Sequence, residues 1–125
     1  MNAEYEQIHE AVRLDPVSVW ERLSAFLCTS ATGSSAGEEH LERVDLIEDL
    51  MFWHADAFID RLQALAETCP DLQEDVAAAY VGGLAGSPGL DQFYELQETF
   101  ASRLESEGRL ARWKGWMPLE PPTPG

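Results

Sequence analysis

A chain of 125 residues, 45% of them apolar, is long enough for one domain with its own core and too apolar for wholesale disorder. Its 23 acidic residues against 8 Lys and Arg leave a formal charge of −15, which disfavours direct binding to nucleic acid and to anionic membranes. The partner such a charge invites is a basic protein, steered inward by opposite charge; plain solubility is the competing account.

The first predicted helix runs from Ala3 to Leu14, with Tyr5, Ile8 and Val12 at helical spacing. No basic region followed by an apolar run opens the chain, so no signal peptide is expected. No stretch has the apolar length of a membrane span, and the expected compartment is the cytoplasm. Asp15-Pro16 reads as an N-cap followed by proline at the first helical position, opening a second helix with the stripe Val17, Trp20, Leu23 and Leu27. Thr29 to Gly37 is small and polar and reads as a loop.

A third helix is predicted from about Glu38 to His54, its apolar face Leu41, Val44, Ile47 and Met51 widened by Leu50 and Trp53. A break near Ala55 precedes a fourth helix, capped by Asp56, with Phe58, Ile59, Leu62, Leu65, Ala66 and Cys69 inward. Pro70 opens a fifth helix through about Val81, and Gly82 to Gly89 forms a turn or loop. The sixth helix turns Leu90, Phe93, Leu96, Phe100 and Leu104 inward and ends at Gly108. Arg109 to Met117 is basic and aromatic and is expected to pack back on the acidic body.

No segment alternates apolar and polar residues with β-branched enrichment, so no strand is predicted. The expected fold is all-α, with about six amphipathic helices packed as stacked antiparallel helical hairpins in one compact domain. That acidic domain covers residues 1–117, and 118–125 is a Pro-rich flexible tail. Cys28 and Cys69 lack a C-x-x-C partner and read as buried free thiols of a reducing cytosol, with one disulfide between them left open.

Asp15-Pro16, Trp20, the run Leu46-Ile47-Glu48-Asp49-Leu50-Met51, His54, Phe58-Ile59 and the Pro70-opened helix resemble DUF6869, a family of small bacterial helical domains. The resemblance covers roughly residues 14–81. It implies a helical fold and brings no activity, cofactor or partner with it.

Catalytic chemistry finds no pattern in this sequence. Ser30, Ser34 and Ser35 cluster in a loop without a G-x-S-x-G turn, and the glycines around Gly82 lack the Lys-Ser or Lys-Thr of a phosphate loop. Glu6 and His9 form a single Glu-x-x-His where a di-iron bundle uses two, and His40 and His54 lack a second ligand at i+3 or i+4. Neither a catalytic residue, a metal nor a cofactor is therefore predicted.

The third helix carries the more informative pattern. Glu38, Glu42, Asp45 and Asp49 recur at i, i+4, i+7 and i+11, flanked by Glu39 and Glu48. Each like-charge pair at i, i+4 destabilises a helix by roughly 0.2–0.5 kcal/mol. The helix dipole explains Glu38, Glu39 and Glu42 in the first turn but not Asp45, Glu48 and Asp49. Residues 38 to 75 hold 12 acids against 2 bases, so the acidity continues through Asp56 into the next helices. Glu38, Glu42, Asp45, Glu48, Asp49, Trp53 and Asp56 are the predicted partner-binding residues. The function that fits is a non-enzymatic protein-binding domain: an acidic immunity protein or antitoxin-like inhibitor occluding a basic toxin. A nucleic-acid mimic, or a structural or adaptor subunit whose acidity serves solubility, is the alternative.

Overall fold

Three prolines fix where helices begin, because each lacks the N–H that a first helical turn leaves unused. Pro16 starts α2 (Pro16–Leu27), immediately after α1 (Ala3–Leu14); Pro70 starts α4 (Pro70–Ala78), and Pro88 starts α5 (Pro88–Ser106). Between them lies α3 (Ala36–Thr68). Asp15 caps α2 by accepting from the Ser18 N–H, and Ser87 caps α5 by accepting from the Leu90 N–H. The computed structural model describes residues 3–28, 36–81 and 87–107. All five elements among them are helices, and none is long and apolar enough to cross a membrane.

The count is five, close to the expected six, because the third and fourth predicted helices are two arms of α3. The break falls at His54, one residue before the expected site, where φ −141° and ψ 28° bend the 33-residue helix without ending it. α3 is the spine: α1 and α2 pack against it, and α4 and α5 pack against it and each other. The shared core includes Ile8, Val12, Leu23, Leu46, Ile47, Leu50, Leu62, Phe93 and Phe100, all fully buried. At about 1.5–3 kcal/mol per large apolar side chain, this burial is the main force assembling the helices.

Periodicity placed most faces correctly, and all five residues of the α5 stripe are buried. Three positions differ, among them Trp53, which is exposed where the predicted apolar face includes it. Val17 is 67% exposed while Val19 and Phe26 are buried, because Pro16 takes the inward place in the first turn of α2. Leu41 also faces outward, with Val44 and Leu46 supplying the buried surface.

The predicted helix to Val81 instead ends at Ala78, where Ala79 turns extended. The carbonyls freed at this end are taken up by α5: Gln97 Nε2 donates to the oxygens of Val76 and Ala79, and Tyr94 OH donates to that of Val81. The cysteines are likewise corrected. Cys28 and Cys69 are joined in a disulfide between the end of α2 and the α3–α4 junction, so neither is a free thiol. Spacing alone could not pair them, since their 41-residue separation closes only once α2 lies back along α3.

Gly89 marks a close contact between α5 and α3. A Cβ there would stand 2.6 Å from the Ala55 carbonyl carbon and from two backbone atoms of Asp56, just past the kink. The Gly89 N–H also donates to Asp56 Oδ1 at 2.7 Å. Alanine gains about 1 kcal/mol in helix propensity, but overpacking against backbone that cannot yield costs about 1–3 kcal/mol or more. Because all three close neighbours are backbone atoms, the upper end of that cost applies, and Gly89→Ala is expected to destabilise the fold by a net of about 2 kcal/mol, read as a lower urea midpoint.

Candidate functional site

The acidic stripe of α3 does not lie open along its length. Glu42 is buried, and Glu48 Oε2 accepts the Tyr80 N–H at 2.7 Å. Glu38 belongs to the first turn of α3, and its side chain lies outside the described residues. Asp45 and Asp49 turn toward α1, where they meet a second stripe at the same i, i+4, i+8 spacing. Tyr5 OH donates to Asp45 Oδ2, His9 Nε2 lies 2.7 Å from Asp49 Oδ2 and 3.2 Å from Asp45 Oδ2, and the Arg13 guanidinium sits 4.6 Å over the Trp53 ring.

Tyr5 to Asp45, His9 to Asp49 and Arg13 to Trp53 keep one constant offset of 40 residues. α1 and the first arm of α3 therefore run parallel and in register, joined through the returning α2. His54, at the kink, donates from Nε2 to the Arg13 carbonyl at 2.8 Å and so satisfies the end of α1.

Electrostatics follow from this crowding. Burial pushes the Asp49 carboxyl above the usual range, with the Asp45 charge adding to it and His9 and Arg13 opposing. Burial likewise raises Glu48, helped by Asp45 and Asp49 and opposed by the Tyr80 N–H. The Tyr5 phenol is held above its ordinary range, first by burial and then by its hydrogen bond to Asp45 and that residue's charge. It stays protonated and remains a donor.

Between α1 and α3, His9, Glu10, Arg13, Leu14, Asp49 and Trp53 line a groove of about 510 Å³. Trp53 is 47% exposed, steadied by Arg13 on its face and by Phe52 in edge contact at 4.8 Å. Leu14, 74% exposed, forms an apolar rim. Carboxylates, an indole and an apolar edge in one cleft suit a cationic side chain with an alkyl stem, such as Lys or Arg.

Of the predicted partner-binding residues, Asp49 and Trp53 line the groove and Asp45 stands behind His9. Asp56 lies past the kink, exposed, with Oδ1 on Gly89, while Glu42 and Glu48 are built into the packing. Sequence reasoning missed His9, Glu10, Arg13 and Leu14, all on α1. Their signal was a polar stripe, Tyr5-His9-Arg13, beside the buried Ile8 and Val12. The serine loop, most of the Gly82 to Gly89 run and the segment Arg109 to Met117 lie outside the described residues. No protein-family model matches this chain, and no curated protein or solved structure is similar to it at a significant level.

Proposed function

We propose that this chain is a non-enzymatic protein-binding domain, an acidic inhibitor of the immunity-protein or antitoxin kind that occludes a basic partner such as a toxin. The observation that carries the reading is the α1–α3 groove, where exposed Trp53 and Leu14 adjoin the carboxylates of Glu10 and Asp49. Trp is the residue type most enriched among interface hot spots, and surrounding charge governs the rate of encounter. A net charge of −15 supplies long-range attraction for a cationic protein. The likeness of residues 14–81 to DUF6869 belongs to the same proposal and adds no activity to it.

The compartment is part of the proposal too. In a reducing cytoplasm Cys28 and Cys69 would stand as a dithiol, whereas an oxidising space keeps their bond. Trapping the thiols at lysis and weighing the native protein distinguishes the two.

A tagged copy incubated with native-host extract at low salt, then washed in rising salt, is expected to retain one basic protein in near-equal amount. Retention should fall for Trp53→Ala and Glu10→Lys. Recovery only of abundant proteins that leave at modest salt, equally from wild type and variants, would make the acidity a solubility feature.

A further inference from the structure

The seam between α1 and α3 holds a second arrangement, which needs no partner protein. His9 Nε2 can carry one hydrogen, yet two carboxylate oxygens converge on it, Asp49 Oδ2 at 2.7 Å and Asp45 Oδ2 at 3.2 Å. One proton serves one of these contacts well, and although Tyr5 OH donates to the same Asp45 oxygen, the two carboxylates keep like charge on one helix face. A cation among the three atoms satisfies all of them.

We infer that His9, Asp45 and Asp49 form a binding site for one first-row divalent metal ion, of which Zn²⁺ is the type, clasping α1 to the first arm of α3. The three donor atoms come from two different helices and lie within 4.8 Å of one another. In a tetrahedral zinc site with bonds of about 2.0–2.1 Å, neighbouring ligand atoms stand about 3.3 Å apart. The 3.2 Å pair already has that spacing, and the 2.7 Å pair must open by about 0.6 Å. All three side chains are half-exposed, so a small rotamer shift supplies that movement.

Two further features fit a metal. Tyr5 donates to Asp45 Oδ2, the same oxygen that faces His9, and so holds that carboxylate toward the site. The groove lined by His9 and Asp49 opens beside the site, giving an entry path and room for water at the remaining coordination position. The imidazole nitrogen selects against Mg²⁺ and Ca²⁺, which take oxygen ligands, and favours Zn²⁺, Co²⁺ or Ni²⁺. His40 and His54 do not compete as ligands here, since His40 is buried on Asp75 and His54 donates to the Arg13 carbonyl.

The test is calorimetric titration of the full-length, disulfide-intact chain with Zn²⁺, paired with Co²⁺ absorption spectra. Wild type is expected to bind one ion saturably, to show Co²⁺ d–d bands and to melt at higher temperature with Zn²⁺ but not with Mg²⁺. His9→Gln and Asp49→Asn should each abolish the bands, and Tyr5→Phe should weaken Zn²⁺ by about 10-fold or more while keeping them. Circular dichroism establishes that each variant is folded. Absence of saturable binding in wild type, or binding that survives in both His9→Gln and Asp49→Asn, would overturn the site. Neither result bears on partner capture, which is measured without added metal.

Discussion

Asp75→Ala is expected to lower the free energy of unfolding by about 3–5 kcal/mol, the usual cost of removing one member of a buried ion pair. Asp75 is 1% exposed and holds two side chains of α3 from its place on α4. Its Oδ2 accepts from Arg43 Nε at 2.7 Å, and its Oδ1 accepts from His40 Nδ1 at 2.5 Å. Both partners are themselves buried. Removing the carboxylate takes one acceptor from each of two desolvated side chains at once, and alanine supplies none in its place. Asp75→Asn keeps the shape and one acceptor oxygen, so its cost should be smaller. Glu98→Ala, at an exposed position on α5, should stay within about 0.5 kcal/mol. Urea unfolding of the three variants reads the order directly, and a midpoint for Asp75→Ala equal to that of Glu98→Ala would remove the network from the account of stability.

Reduction of the disulfide should cost a similar amount, by a different route. Closing a loop of 41 residues restricts the unfolded chain by about 4 kcal/mol on the chain-entropy relation, within a usual range of about 2–5 kcal/mol. The bond ties the end of α2 to the α3–α4 junction, and α2 otherwise leans mainly on α1. Reduced protein should therefore unfold at lower urea concentration. Amides of α1 and α2 should lose hydrogen-exchange protection before those of α5, which sits on both α3 and α4. Equal midpoints for oxidised and reduced protein would show that packing alone holds α2 in place.

The helix starts were legible because Asp15-Pro16 and Pro70 are local signals whose physics involves only neighbouring residues. The α5 face was legible because Leu90, Phe93, Leu96, Phe100 and Leu104 repeat without a competing stripe. The kink was read as a break, since a departure from helical angles at His54 alone leaves the hydrophobic period nearly intact. Asp45 and Asp49 were singled out because their repulsion appeared uncompensated on their own helix. Compensation comes from Tyr5, His9 and Arg13, some 40 residues away, and only the parallel register of α1 and α3 brings them there. A one-helix argument could find the charge and not its partner.

On the proposed function, the groove between α1 and α3 receives a cationic side chain of a basic protein. The most direct test of that claim is the association rate of the captured partner across a range of ionic strength, with wild type, Trp53→Ala and Glu10→Lys compared. Wild type should associate fast at low salt, with a steep decline as salt rises. Glu10→Lys should lower the rate and flatten that slope, and Trp53→Ala should leave the rate nearly unchanged while raising dissociation by about 10-fold or more, as a hot-spot loss of about 2 kcal/mol requires. Rates and salt slopes identical among the three proteins would contradict the claim and move the interface off this groove.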